Sequence, residues 1–533
     1  MSKCPYAAKI QGEEISRRGF LSRALGLGAA AVAAIVGGGP LGRLAAHAAA
    51  VAPWVALPFE GETWDPCHDL RDGVKFPTST GRGEEVDVLI VGGGISGLLT
   101  AHMLGKNVNY LILEKDSRPG GNSRRALWDG VYYPLGALYI AEPVGATLDL
   151  FKELKLEAKA IPTPVDSLLV GGKVYPDFFG HGVHDLPLQK STRKALAEAW
   201  KHFSALLESP DLPMIPVQDS TKKAMLLDGI TMGEYCRRRK FEKYVTDLID
   251  MYVRSCWGVG NDKVSAYAAI NFLCSEFESV YAFPGGNGAI SDALAHRLEK
   301  RIRTRAFAFR MQEETGGVRV DYTWNGEPAR VKARHVVAAT PKHITLRMMP
   351  GLPDGLVRAL GSVRYGAYLA GEIFLNAPLV KEGAFDLWTE GRWYTDLCLA
   401  DWVATRGKPR AARKTIMTAS IPMGEQEGRA ELLTATHEEL SRRLMDDLVK
   451  DFPDAREKVA GMQFARYGHP MVLPYPGFIS TVTPLLRRPW GRFWFCHTDS
   501  QGMPCFEGAF SEATRVSRAV RKALAGERAY STV

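Results

Sequence analysis

Apolar and polar positions alternate in three different rhythms along this chain. Val86-Asp87-Val88-Leu89-Ile90-Val91 is a nearly continuous apolar run of strand length, and Asn109-Tyr110-Leu111-Ile112-Leu113 is a second. Runs this short and this apolar predict strands covered on both faces, as in a parallel sheet. Between them Ala101, Met103 and Leu104 predict a helix starting at about Ser96. Further on, Ala197, Trp200, Phe203, Leu206 and Leu207 recur at helical intervals, so residues 146 to 280 are expected to be mostly helical. Gly316-Gly317 and Asn325-Gly326 mark the turns of a polar hairpin. Residues 49 to 83, rich in Pro, Gly and Asp, read as an extended arm ahead of the first strand.

The first run turns into its helix through Gly92-Gly93-Gly94-Ile95-Ser96-Gly97, and the second ends on Glu114. Glycines at such a turn let the backbone approach a pyrophosphate, whose charge then sits on the positive helix N-terminus. An acid at the end of the next strand accepts hydrogen bonds from ribose hydroxyls. Strand, glycine turn, helix, strand and acid in this order predict a dinucleotide site built from Gly92, Gly94, Ser96, Gly97 and Glu114.

After Glu114 the chain reads Lys115-Asp116-Ser117-Arg118-Pro119-Gly120-Gly121-Asn122-Ser123-Arg124. This resembles the second motif of the flavin amine oxidase and phytoene desaturase superfamily. The resemblance implies FAD, with Arg118 offering a cationic fork to phosphate and Gly120, Gly121 and Asn122 passing close under the cofactor. Phe283-Pro284-Gly285-Gly286-Asn287-Gly288 resembles the family's turn into a helix, and Arg334 to Pro341 its returning strand. Phe495-Cys496-His497-Thr498-Asp499, followed by Glu507-Gly508-Ala509-Phe510, resembles the closing signature. There Asp499 is expected to bind the ribityl chain, and a helix starting near Gly508 and Ala509 to aim its dipole at the cofactor. The implied fold is α/β: a discontinuous Rossmann-like FAD-binding domain (84–145, 281–345 and 481–533) interleaved with an α+β substrate-binding domain (146–280 and 346–480).

The resemblance also suggests where chemistry would sit. Many amine oxidases of the family keep a lysine near flavin N5 that aids reaction with oxygen. The corresponding stretch, Tyr365 to Glu372, has none, which favours an electron acceptor other than oxygen. His469 and Tyr475 lie where the family builds the aromatic wall of its substrate pocket, and with His497 they are the candidate catalytic residues. A hydrogen-bonded core histidine or a packed turn tyrosine is the alternative for each. Glu276 and Glu278, just ahead of the Phe283 turn, are acids of the kind that could grip a cationic tail, but loop carboxylates are usually solvated, and both are left outside the expected site. Cys67 to Gly73 is similar to a segment of exported bacterial spermidine dehydrogenases, flavoproteins that also carry haem, so His68 is the candidate axial ligand if haem is present.

Composition adds bounds. The 533 residues are 46% hydrophobic and 24% charged, enough for two or three domains. Ser16-Arg17-Arg18-Gly19-Phe20-Leu21, the Ala/Gly-rich stretch after it and Ala46-His47-Ala48 read as a twin-arginine signal over residues 1–48, predicting passage through the twin-arginine translocase to the periplasm. An N-terminal anchor is the alternative, though the stretch is short, small in side chain and closed by Pro40. Removing it takes the formal charge from +8 to +4, too little for a nucleic-acid surface. The remaining cysteines show neither zinc spacing nor a haem-attachment motif; no metal is expected apart from haem iron.

Together these readings describe an exported FAD-dependent oxidoreductase. It would take a hydride from an amine or polyamine and pass the electrons to a periplasmic cytochrome or another non-oxygen acceptor. A desaturase or isomerase of an apolar polyene shares the same motifs, and a non-catalytic electron-transfer flavoprotein is the third reading. A cavity lined by tyrosines and polar groups favours the amine, a long apolar tunnel the polyene, and an open flavin edge the electron carrier.

Overall fold

The computed structural model describes residues 55–81, 83–161, 165–380, 385–400 and 415–531. Residues 1–48, with Arg17 and Arg18, on which the expected export signal falls, lie outside the described residues. The first apolar run is the strand Glu84–Val91, fully buried from Val88 to Val91. It pairs in parallel with Tyr110–Leu113 on one side and Glu327–Ala338 on the other. These strands form the middle of a seven-stranded sheet. Ile302–Arg303 extends it beyond Tyr110–Leu113, and Phe493–Phe495 pairs with the C-terminal end of Glu327–Ala338. The hairpins Ala306–Glu314, Gly317–Trp324 and Glu327–Ala338 complete it, turning at Gly316 and at Asn325-Gly326. The long C-terminal helix Phe506–Ser531 and the helix Gly288–Leu298 pack on Ile95–Leu104 through Leu98, Leu99, Ile290, Ala509 and Val516.

A second sheet of nine strands is largely antiparallel. Its order is Val55–Ala56, Val459–Val472, Tyr365–Leu375, Thr415–Gly424, Asp396–Leu399, Asp386–Thr389, Asp166–Val170 and Lys173–Pro176, with Glu60–Gly61 also paired to Val459–Val472. The amphipathic stretch around Trp200 is the helix Lys190–Leu206. It packs with Lys243–Trp257 and Ala266–Ser275 through Trp200, Phe203, Ile249, Val253 and Ile270, all buried. The chain passes repeatedly between the two sheets, and the dinucleotide motif and the nine-stranded sheet face one cavity.

The arm differs from its expected form. It is extended only as far as Gly61, pairing with Val459–Val472, and then becomes a helix, Asp65–Arg71, with Pro66 in its first turn. Proline fits there because the first-turn N–H groups have no partner inside the helix in any case.

Candidate active site

The glycine turn is built by close approach. Gly92 has φ +107°, and a Cβ on Gly97 would lie 2.0 Å from the Gly92 carbonyl oxygen, so helix and strand can meet here only through glycines. Gly94 caps Ile95–Leu104 without any side-chain bond. Its first-turn N–H groups therefore stay open beside Gly94, Ile95 and Ser96, which line a cavity of about 1070 Å³. That lies at the top of the ~300–1,000 Å³ usual for a small-ligand pocket. Glu114, also on the wall, accepts hydrogen bonds from the Gly93 and Asp116 N–H groups, each at 2.8 Å. Burial pushes its pKa up against those two bonds.

Gly121 and Asn122 also line the cavity, but the cation beside them is Arg124. Its guanidinium is buried, lies 3.4 Å from Asp116 and donates to the Gly61 and Gly121 carbonyls. Arg118 is off the wall: its side chain is 40% exposed and bonds Glu60 of the arm at 2.9 Å. Gly97, Gly120, Gly508 and Ala509 stand behind the wall, while Phe506 and Glu507, at the start of the C-terminal helix, are on it. The arm closes over this end. Lys115 Nζ donates to the Thr63 carbonyl at 3.0 Å, and Trp64, Cys67 and His68 line the cavity, with the His68 ring 6.5 Å from that of Trp64.

Asp499 is buried and does not reach the cavity. Its Oδ2 accepts from the Tyr365 hydroxyl at 2.5 Å and from the Lys342 N–H at 3.1 Å, and its Oδ1 lies 2.9 Å from His497 Nδ1. Burial alone would raise its pKa, but His497, Lys342 and Tyr365 hold it below the usual carboxylate range. His497 and His469 are on the wall. The His469 ring lies 4.2 Å from that of His343, and burial, with His343 beside it, keeps His469 neutral far below its ordinary pKa. Burial likewise pushes His343 down to about 4. Tyr475 is not brought to the wall: its ring packs against Phe478 at 5.3 Å. The tyrosines on the wall are instead Tyr139, Tyr252, Tyr365, Tyr368 and Tyr467.

Opposite chemistry lies on the nine-stranded sheet. Asp386 is registered directly across from Asp166 on one neighbouring strand and from Cys398 on the other. Cys398 in turn faces Thr418, and Thr418 faces Glu372. Residues paired this way share one face of a sheet, so a polar row crosses it. Asp396, two residues before Cys398, is on that face as well. Asp386, Asp396, Cys398 and Thr418 line the cavity, and Glu276, which follows the helix Ala266–Ser275, reaches the same wall. Ser255 and Thr395 donate to Asp396 Oδ1, Trp388 Nε1 to Asp166, and Tyr252 to Glu276. Asp386 is 4% exposed, and its Oδ1 has no hydrogen-bond partner. Sequence reasoning missed Asp166, Asp386 and Asp396 and set Glu276 aside as solvated. The available signal was an acid at alternate positions of apolar strands, as in Asp396-Leu397-Cys398-Leu399. All seven cysteines of the described residues are free thiols.

The sequence profile of the flavin containing amine oxidoreductases matches residues 95–521. Among relatives, oxidoreductase PigB of Serratia sp. (strain ATCC 39006) is 25% identical over 357 residues; the match covers 56% of this chain and 53% of that protein. An L-amino acid dehydrogenase of Synechocystis sp. (strain ATCC 27184 / PCC 6803 / Kazusa) is 25% identical over 467 residues, 83% of this chain and 95% of that one. In fold, putrescine oxidase solved with putrescine bound superposes with a TM-score of 0.66 at 17% identity, covering 83% of this chain and 99% of that one. The open helix N-terminus, the glycine cradle and Glu114 fit the dinucleotide that the family carries, and the chain belongs to the flavin-containing amine oxidoreductases as an FAD-dependent enzyme of the amine oxidase type.

Proposed function

We propose that this enzyme oxidises a di- or polycationic amine and hands its electrons to an acceptor other than oxygen, after export to the periplasm. The observation that carries the substrate half is the carboxylate row on the cavity wall. An alkyl ammonium with a pKa of about 10 has no lone pair at neutral pH, so the nitrogen beside the carbon to be oxidised must be neutral when hydride leaves. A second, distant nitrogen keeps its charge, and Asp386, Asp396 and Glu276 are the groups on the wall suited to pair with it. A buried carboxylate without a partner is costly, and an ammonium removes that cost. Bound FAD supplies the hydride acceptor; the chain orients the amine between the tyrosines and the acids and excludes water. A cavity walled by Asp386, Asp396 and Glu276 is a poor site for an apolar polyene.

The acceptor half is supported by what lines the cavity. Among the described residues Lys115 is the one lysine on the wall, and it is tied to the arm at Thr63. Lys342 is near Asp499 in the structure, but its Nζ is fully buried, without a hydrogen-bond partner and off the wall. Export is supported by Arg17-Arg18 and the weakly apolar stretch after them. Folding around FAD before crossing the membrane is a physical reason to use a translocase that carries folded proteins.

The test is anaerobic bleaching of the flavin by amines of one chain length and different charge. A linear 1,4-diamine should saturate at far lower concentration than butylamine. Asp386→Asn should raise the half-saturating diamine concentration while leaving that of butylamine nearly unchanged. A flavin left oxidised by every amine between pH 6 and 10 overturns the reading.

A further inference from the structure

The carboxylate row has another property, which rests on the dicationic-amine reading above. Asp166, Asp386 and Asp396 lie buried on three neighbouring strands, Glu276 follows the end of one helix half-buried beside them, and the four act on one another. The other titratable groups facing them are Cys398 on the same sheet, Cys256 and Tyr252 on the helix Lys243–Trp257, Tyr139 on the strand Tyr139–Ala141, and Tyr368 on Tyr365–Leu375. All are acids, thiols or phenols. None of the leading influences on Asp166, Asp386, Asp396 or Glu276 is a lysine, arginine or histidine.

Four carboxylates gathered without a cation cannot all ionise, because each charge raises the work of making the next. We propose that the row is a proton-exchange subsite: it holds protons while the cavity lacks a cation, and an entering ammonium group takes their place. The exchange balances as one ammonium gained by the row and one carboxyl proton released to solvent, with no bond made or broken in the substrate. Burial together with neighbouring acids points the same way, pushing Asp166 up to about 7 and Asp386 and Glu276 further above the ordinary carboxyl range. Asp386 Oδ1, buried and without a hydrogen-bond partner, is free for the incoming charge, with the Cys398 thiol the neighbouring donor on the same face. Affinity for a dication then rises with pH across neutrality even though the dication itself does not titrate.

The probe is 1,4-bis(trimethylammonio)butane, which has no N–H to lose and no lone pair to permit oxidation. Its binding to the oxidised holoenzyme is followed by titration calorimetry at pH 7 in phosphate and in Tris, whose ionisation heats differ widely. We expect release of about one proton per dication and a Kd that tightens by up to about tenfold per pH unit between pH 6 and 8. Asp386→Asn and Asp396→Asn, each checked for retained yellow colour, should both reduce the proton release. Binding with equal heat in both buffers and a Kd flat in pH overturns the exchange and leaves the dicationic substrate standing. If neither this dication nor 1,4-diaminobutane, read by anaerobic bleaching, saturates the holoenzyme, the dicationic reading falls and the exchange with it.

Discussion

Replacing Glu114 with glutamine asks whether this carboxylate holds the cofactor's ribose. Each carboxylate oxygen already accepts one backbone N–H at 2.8 Å, from Gly93 and Asp116, and each keeps capacity for one more donor facing the cavity. Glutamine preserves the volume but removes the charge and one acceptor. A hydrogen bond to a charged group contributes about 1.5–3 kcal/mol. At about 1.4 kcal/mol per tenfold, losing one ribose contact should weaken FAD binding roughly 10- to 150-fold. The assay is recovery of flavin fluorescence on dilution of dialysed holoenzyme, with reconstitution of the apoprotein giving Kd. The pH dependence provides an internal check. Burial raises the Glu114 pKa in the protein without ligand, whereas ribose hydroxyls donate to the ionised form and lower it in the complex. Wild-type FAD affinity should therefore increase as pH climbs through that interval, and Glu114→Gln should be flat. The local turn also loses the Gly93 bond, so a lower Tm of the apoprotein is expected and does not by itself count. A Kd within threefold of wild type, with the same pH slope, refutes the assignment.

The parts legible in the sequence were those governed by local rules. Val86 to Val91 and Leu111 to Leu113 are apolar enough to be buried on both faces, and glycine at 92 and 97 is demanded by backbone contact. The strand, turn and helix therefore follow from side-chain size and period alone. The arm was misread beyond Gly61 because the helix Asp65–Arg71 is short and buries none of its residues, leaving no apolar stripe to see. Arg118 and Arg124 are both arginines beside glycines; which one faces the cavity is decided by Asp116 and the arm carbonyl of Gly61, contacts that depend on distant chain. The acid row was hidden for the same reason. Asp166, Asp386 and Glu276 are scattered across more than two hundred residues, and only sheet register sets two of them side by side.

Arg124→Met should weaken FAD retention at least tenfold, while Arg118→Met, whose guanidinium pairs with Glu60 outside the cavity, should change it by less than threefold; equal losses would contradict the placement of the two side chains. Stopped-flow reoxidation should be slower with air-saturated buffer than with an artificial acceptor such as ferricenium, and the opposite order would remove the acceptor half of the proposed function. Changing Arg17 and Arg18 to lysine should strand folded yellow precursor in the cytoplasm; unchanged periplasmic yield would dismiss the export signal. Glu372 allows a prediction about stability with a definite sign. It is fully buried, accepts from Thr418 and leaves its other oxygen without a partner, and burial raises its pKa from 4.5 to about 8. Between those values the folded chain keeps a proton that the unfolded chain gives up, so stability falls as pH rises through the interval and levels off above it. Glutamine mimics the protonated acid and does not titrate. The Tm advantage of Glu372→Gln over wild type should therefore be small at pH 5, grow steadily to pH 8 and then stay constant, with an upper bound of about 5 kcal/mol at 1.36 kcal/mol per decade of proton affinity. A Tm difference that does not change between pH 5 and 8 would mean that Glu372 ionises in the fold as it does in water, through contact with solvent or a cation.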